Sequence, residues 1–596
     1  MGERMIKKDS VNIKMILHHW MFWLGIFTLI GIILRSLPSL FNAAWGIDFG
    51  IYYGLTNSFV ETKELINSYN GWGLSYNYFP VLYAITGFVH WVTGIEVIAL
   101  MPRIAPIIGG LSIPIFYFIT YELTKNQRIS LLAAGLLSVS TFHVYQTSHA
   151  APLTVGHFFM MLSMYFFIKY IKNHKYLIPL CASTVLLILS HHFTTYFFLI
   201  SITFMLFYYT SKQKVLSKHI FHILFFVGFA ATIAFSYWGF FATPVYKYFM
   251  NKMFLSAPYI IAIFYAFIFF GVLFISICKK YNVMMPRLKV TSLSKEKKII
   301  LIFVLIFTSA SLSIFTGIPG VYVTLTPLAI LYSIPMIVLI GFAISGLSSL
   351  RLIPGELLLK GWMVAIGLSF IYSLCSGTML PDRHLEYLIV PLCIPAALTL
   401  NEFIDEYKEI KIKNIFSTYT QPMLTKYHMK KIVVFTSIFI LFISNMITAY
   451  PTIDALQTID ERVSDPCINS LEWMQGNITN SSIIASDHRI SMLLWAEGFG
   501  ITYGQINDTW DAENLSTCLE EILRLNISYV IIDDIMKDNV INVDVGKYYY
   551  FTNNSYNKFR EKPFELVYRN ATLNNQKVET HWIEIYKINQ SCLPAL

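Results

Sequence analysis

Met15-Ile-Leu-His-His-Trp-Met-Phe-Trp-Leu-Gly-Ile-Phe-Thr-Leu-Ile-Gly-Ile-Ile-Leu34 follows a basic, polar start at residues 1–14 and contains no Asp, Glu, Lys or Arg. Twenty such residues rise about 30 Å as a helix, the thickness of a bilayer's hydrocarbon core. With no small-residue cleavage site behind it, the run reads as a retained first membrane helix whose amino terminus stays in the cytoplasm. Similar apolar runs recur up to residue 450, separated by the basic clusters Lys125/Arg128, 169–175, 212–218, 279–298, 351–360 and 408–431. Placing those clusters on the cytoplasmic side threads thirteen crossings. External turns then fall near His149, near His191 and His192, around Tyr246, at 317–326 and at 380–384, and Tyr450 emerges outside.

One stretch resists this threading. Residues 38–101 hold an apolar segment, 79–92, that would reverse every later loop if it crossed, but it is shorter than the roughly 17 residues a span needs. The expectation is one long external loop with a helix lying in or dipping into the interface. Trp72, Tyr76, Tyr78, Tyr83 and Trp91 would sit at headgroup level, and Asp48 would lie outside.

Composition agrees. Of 596 residues 55% are hydrophobic and only 13% charged, about half the charged fraction of a soluble chain. The net charge of +9 is a split: residues 1–450 carry 33 Lys and Arg against 15 Asp and Glu, and residues 451–596 carry 11 against 20. The basic excess is loop charge flanking membrane helices, which argues against a nucleic-acid partner. The expected organisation is therefore a polytopic α-helical membrane domain, 1–450, and an extracytoplasmic soluble domain, 451–596, in a multi-pass protein of the cell (plasma) membrane.

N-x-S/T sequons support the outer placement. They occur at Asn477, Asn480, Asn507, Asn514, Asn526, Asn553, Asn570 and Asn589, eight of the fifteen Asn after residue 450, whereas none of the thirteen Asn before it sits in one. Average Ser/Thr usage would give roughly one in eight. The alternative is a polar surface rich in Ser and Asn. Within this domain 529–532, 564–568 and 582–586 read as strands and 467–475 and 515–525 as helices, giving an α/β or α+β domain. Cys467, Cys518 and Cys592 allow one disulfide or three reduced thiols, and the seven cysteines show no metal-ligand spacing.

Ionisable groups at membrane-helix ends are costly unless used or paired. Asp48, in Trp45-Gly46-Ile47-Asp48-Phe49-Gly50-Ile51-Tyr52-Tyr53-Gly54, could serve as a general base, hold a cation, or only cap a helix. In Asp382-Arg383-His384-Leu385-Glu386-Tyr387, Arg383 suits a phosphate fork and His384 or Tyr387 a further donor; a plain salt-bridge cluster is the alternative. His143, His149, His157, His191 and His192 could bind sugar hydroxyls or one divalent metal, but with no fixed spacing structural or hydrogen-bonding roles fit better. Tyr246 and Lys247 stand in a loop that could touch substrate. Walker, nucleophile-elbow and dinucleotide patterns are absent, so nothing points to nucleotide binding.

The order of these features resembles the GT-C glycosyltransferase superfamily: a first helix, a long external loop with an early aspartate (Asp48), helix hairpins, an arginine at a late external helix start (Arg383) and an external C-terminal domain. Leu131-Leu-Ala-Ala-Gly-Leu-Leu-Ser-Val-Ser-Thr-Phe-His-Val-Tyr-Gln146 resembles that superfamily's third helix, and Leu189-Ser190-His191-His192-Phe193-Thr194 its fifth-to-sixth turn. Thirteen helices plus this tail are most similar to the single-subunit oligosaccharyltransferases of archaea and bacteria. Leu471-Glu472-Trp473-Met474-Gln475-Gly476-Asn477 resembles the lead into their WWDYG motif, but Ser486-Asp487-His488-Arg489-Ile490-Ser491 stands where WWDYG would be. Ser148-His149-Ala150-Ala151-Pro152 likewise replaces an acidic metal-binding pair.

The resemblance implies Asp48 as catalytic aspartate and Arg383 as ligand of a lipid phosphate. The expected activity is transfer of a sugar from a polyprenyl (dolichyl-type) phosphate to a hydroxyl of a lipid-linked glycan, lipid or protein, with no cofactor required and a divalent metal as the alternative. A rival is an oligosaccharyltransferase with a diverged motif. A lipid-linked saccharide transporter is another, though no internal repeat supports it; a catalytically dead scaffold is a third.

Overall fold

The computed structural model describes residues 19–592 apart from 67–68, 213–216, 248–256, 282–299, 301–302, 305, 309, 312–325, 378, 416–435, 437, 453–459 and 545–546. Among the described residues nine helices are long and apolar enough to cross a membrane, from Trp20–Phe41 and Val97–Thr124 through Pro152–Lys172 and His192–Thr210 to Glu356–Ser376 and Pro381–Ile404. Shorter apolar helices, Gln127–Val139, His174–Ile188 and Ile438–Ile447, stand where the threading puts the third, fifth and thirteenth crossings. The turn expected at 317–326 and the basic cluster at 408–431 fall largely or wholly outside the described residues.

The helix ends follow from local sequence. Asn126 Oδ1 accepts from the N–H groups of Arg128 and Ile129 at the start of Gln127–Val139, His191 Nδ1 accepts from Thr194 N–H at the start of His192–Thr210, and Thr326 Oγ1 accepts from Ala329 N–H. Each cap meets backbone donors that a helix leaves open. The first helix also carries a fully buried cation. Arg35 donates to Thr147 Oγ1 (2.7 Å), His143 Nδ1 (2.7 Å) and the carbonyls of Gly31 (2.9 Å) and Ser138 (3.3 Å), which ties the first helix to the polypeptide around His143.

The long loop is shorter and more folded than its sequence suggests. The first helix continues past Pro38 to Phe41 and the next spanning helix starts at Val97, so the connection holds two short helices, Phe49–Thr62 and Val81–Thr93. At 1.5 Å per residue neither is as long as a bilayer is thick. Val81–Thr93 exposes Phe88, Trp91 and Val92 on one side. The headgroup assignment of the aromatics needs correction, however: Tyr83 is buried and Tyr76 turns inward to bond Asp48, because each has a polar partner for its hydroxyl inside the protein.

Beyond residue 460 the chain forms a mixed α/β domain. In chain order its strands, with one from the long connection, are β1 (Ala44–Trp45), β2 (Arg462–Val463), β3 (Ile483–Ala485), β4 (Gly500–Thr502), β5 (Ile527–Asp533), β6 (Ile541–Asp544), β7 (Lys547–Tyr549), β8 (Phe564–Leu573) and β9 (Glu579–Ile588). The main sheet runs β4-β3-β5-β9-β8, parallel across its first three strands and antiparallel from β5 onward. All three strand stretches expected from β-branched and aromatic residues lie within β5, β8 and β9, and helices Asp465–Asn477 and Leu515–Arg524 cover the two expected helical ones. Val530, Ile531, Ile583 and Ile585 are buried in the core. Cys467 and Cys518 are free and buried, so neither takes part in the disulfide the sequence allowed. Seven of the eight sequon asparagines are exposed and Asn570 is half-buried.

Two close backbone approaches, among other contacts, join this C-terminal domain, the one expected to be soluble, to the helical domain. β1, three residues ahead of Asp48, pairs antiparallel with β2, and Gly46 N–H donates to the Glu461 carbonyl (3.0 Å). Helix Phe49–Thr62 packs on helix His488–Ala496 through Gly50 and Gly54, where a methyl group on Gly50 would lie 2.4 Å from Leu493 N. Only glycine permits backbones that close.

Candidate active site

These contacts close a cavity of about 540 Å³ at the seam between the two domains. Asp48, Tyr76, Gln146, His149, His191, His192, Arg383, Glu386 and Glu461 contribute its polar lining, and Trp45, Phe49, Tyr52 and Phe193 much of its apolar lining. The lining thus combines ionisable and aromatic side chains.

Asp48 immediately precedes helix Phe49–Thr62, where it does not act as a side-chain cap. Its carboxylate is held from two sides. Tyr76 donates its O–H to Oδ2 at 3.0 Å, and His488 Nε2 meets Oδ1 at 3.1 Å. Burial, with the Asp48 charge adding to it, pushes the Tyr76 phenol well above its ordinary range, so Tyr76 remains a proton donor in this bond. A carboxylate offers about four lone-pair directions. Two are occupied here, and Asp48 still reaches the cavity.

Across the cavity, Arg383 sits in the first turn of helix Pro381–Ile415 and donates through Nη1 to Gln146 Oε1. Glu386, one turn further on the same helix, also lines the cavity, and His157 Nε2 lies 3.7 Å from its Oε1. A third wall comes from His149, whose Nε2 pairs with Glu461 Oε2, while Tyr145 O–H donates to Glu461 Oε1 at 3.2 Å. Burial alone would raise the Glu461 carboxyl, but the imidazole of His149 and the charge of Arg383 hold it below the usual carboxylate range.

The structure thus gathers Asp48, Arg383, His149, His191 and His192 around one cavity. It does not bring His384, Tyr387 or Tyr246 there. His384 is buried between Ser369 Oγ (2.9 Å) and the Leu380 carbonyl (3.1 Å). Tyr387 bonds Thr194 Oγ1 at 2.8 Å and stacks on Phe197 and His157, inside the helix bundle. Pro244 and Val245 line the cavity, whereas Tyr246 packs beside them against the core. Their proximity in sequence to Arg383 or to a loop end did not translate into proximity to the cavity.

Sequence reasoning missed Glu461 and His488 as site residues. His488 stood in the stretch that replaces the WWDYG motif and so had a signal; Glu461 had none, because its partner lies 312 residues away. Among the described residues no group of three or more His, Cys, Asp or Glu side chains is arranged as a metal centre.

No protein-family model and no curated sequence matches the chain. Solved structures do. The archaeal oligosaccharyltransferase AglB from Archaeoglobus fulgidus, in complex with an inhibitory peptide and a dolichol-phosphate, aligns over 87% of this chain and 69% of its own with a TM-score of 0.55 at 14% identity. The apo form of the Archaeoglobus fulgidus enzyme aligns over 96% and 75% with the same TM-score and identity. The form tethered with an acceptor peptide containing the NVT sequon gives 86% and 69%, a TM-score of 0.54 and 16% identity.

The fold is the GT-C fold.

Within this fold Asp48 and Arg383, the early aspartate and the late arginine marked by the sequence, line a common cavity. Glu461 adds a carboxylate to that cavity just ahead of the C-terminal sheet, and His488 of the C-terminal domain meets Asp48.

Proposed function

We propose that this protein is a membrane glycosyltransferase that moves a sugar from a polyprenyl-phosphate carrier to a hydroxyl acceptor on the extracytoplasmic side. The observation that carries the reading is the meeting of Asp48 and Arg383 in one cavity with both polar and apolar walls. Asp48 takes the proton as the acceptor O–H breaks and its oxygen bonds the anomeric carbon. The bond from that carbon to the phosphate oxygen breaks with its electron pair, and Arg383 stabilises the charge left on the lipid phosphate. Gln146 holds the guanidinium in place. The apolar lining from Trp45 to Phe193 accommodates the first isoprene units.

The test is release of label from tritiated dolichyl-phosphate sugars by the purified protein, with Asp48→Asn alongside. Release that depends on Asp48 is expected, and an active Asp48→Asn enzyme would overturn the assignment of the base. Of the Archaeoglobus fulgidus structures one holds an inhibitory peptide and a dolichol-phosphate and another an acceptor peptide with the NVT sequon, which favours a second reading, transfer of an oligosaccharide to a sequon peptide. Glycosylation of such a peptide from a lipid-linked oligosaccharide, with no release from monosaccharide carriers, would select that reading.

A further inference from the structure

His488 belongs to the soluble domain, yet its imidazole reaches the carboxylate of Asp48 in the loop after the first membrane helix. The contact is built, not incidental. Asp487 caps helix His488–Ala496 by accepting from Ile490 N–H (2.9 Å), and Ser486 Oγ donates to the Ile531 carbonyl (3.1 Å). Arg489 bridges Asp487 (3.2 Å) and Asp533 (2.7 Å) and donates to the Arg462 carbonyl (2.9 Å). Three of the four residues in Ser486-Asp487-His488-Arg489 are therefore spent inside the domain, and they fix the direction of the fourth.

His488 itself is 2% exposed, with the rings of Trp72 and Tyr503 edge-on at 4.6 and 5.3 Å. Because an ionised carboxylate only accepts, Nε2 carries the proton, and Nδ1 meets no hydrogen-bond partner among the described residues. The chain tolerates an unmet ring nitrogen in an aromatic box to keep one donor aimed at Asp48. The backbone makes the same provision from the other side. Gly50 and Gly54 let the helix that follows Asp48 touch the helix that begins with His488, with Trp495 Cζ3 2.5 Å from where a Gly54 methyl would stand.

We propose that His488 is a positioning residue for Asp48, so that the soluble domain completes the active site by supplying the donor that orients the base. With Tyr76 on Oδ2 and His488 on Oδ1, the carboxylate plane is fixed from both ends and its free lone pairs are directed at the cavity. This inference rests on the assignment of Asp48 as the base.

The experiment measures label release from tritiated dolichyl-phosphate sugars by full-length wild type, His488→Ala, His488→Gln, His488→Asn and Asp48→Asn. The amide nitrogen of Gln can stand where Nε2 stands, whereas that of Asn is too short. Expected is a loss of roughly ten- to a hundredfold in kcat for the Ala and Asn variants with KM for the donor unchanged, recovery of most of kcat by Gln, and no turnover by Asp48→Asn. Equal losses in the Gln and Asn variants, or a change in KM alone, would mark His488 as a structural contact and overturn the proposal. Asp48→Asn inactive with His488→Ala at wild-type rate sinks this inference and spares the base. An active Asp48→Asn, or a wild type that releases nothing from the whole panel, removes both.

Discussion

His149 Nε2 meets Glu461 Oε2 in a hydrogen bond on the cavity wall, between a loop of the helical domain and the segment that leads into the C-terminal sheet. Glu461 also accepts from Tyr145 through its side chain and from Gly46 N–H through its carbonyl, so one residue fastens the soluble domain to two loops.

The pH dependence of that fastening follows from the Glu461 carboxyl. Its folded-state pKa lies below the ordinary value of about 4.3. A depressed carboxyl contributes stability above its unfolded pKa and loses it as pH falls through the folded one. Thermal unfolding of wild type and Glu461→Gln in detergent should therefore differ at about pH 5, and the difference should shrink below about pH 4. A gap that persists unchanged down to about pH 3 would remove Glu461 as its source.

In the proposed reaction Arg383 supplies the cation for the phosphate, and its Nη1 is held by Gln146 Oε1. Arg383→Ala should lower kcat/KM for a dolichyl-phosphate sugar by about 10²-fold, the order expected on removing one charged donor. Arg383→Lys should recover only part, since a point charge cannot reproduce the planar fork. His384→Ala, by contrast, should leave donor KM unchanged, because that ring bonds Ser369 and a backbone carbonyl and not the cavity. Initial rates against donor concentration separate the three.

The contrast between Arg383 and its sequence neighbours shows what the sequence could and could not reveal. Asp48 and Arg383 could be singled out because charge at the ends of apolar runs is costly enough to need a reason. On a helix, however, Tyr387 stands one turn deeper than Arg383 and His384 points about 100° away, so local spacing placed them near a site that their side chains leave. Glu461 and His488 could not be read as partners of His149 and Asp48, since the pairing is created by β1 meeting β2 and by two glycines in contact with another helix. The strands β5, β8 and β9 were legible from their β-branched and aromatic residues between polar turns. Tyr76 and Tyr83 of the long connection were misplaced because an amphipathic ring satisfies a membrane interface and a buried hydroxyl partner equally well.

The network under His488 makes a separate prediction about stability. Arg489 is buried, and its guanidinium pairs with the buried carboxylates of Asp487 and Asp533. Arg489→Met leaves those charges uncompensated and should destabilise the soluble domain by about 3–5 kcal/mol. Adding Asp533→Asn should recover part of the loss, since Asn removes a charge and can still accept from Met536 N–H, as Asp533 does at 2.9 Å. Urea unfolding followed by tryptophan fluorescence checks both variants, and additive losses in the pair would deny the coupling.

Gly50 tests whether domain contact and catalysis are one property. A methyl group there would fall 2.4 Å from Leu493 N and 2.5 Å from Met492 C, both backbone atoms of helix His488–Ala496 that no rotamer change can move aside. The two helices must then part, at a cost of about 1–3 kcal/mol for overpacking. Parting carries His488 away from Asp48, two residues before Gly50, so Gly50→Ala should lose turnover by at least as much as His488→Ala while each domain keeps its own fold. Gly476→Ala is the matched control, because that helical glycine has open space around its Cβ direction. Amide hydrogen exchange in helices Phe49–Thr62 and His488–Ala496 reports the separation independently of activity. Faster exchange and lost turnover are expected together in Gly50→Ala and neither in Gly476→Ala; full turnover in Gly50→Ala with faster exchange would show that the contact between the two helices is not needed to complete the site.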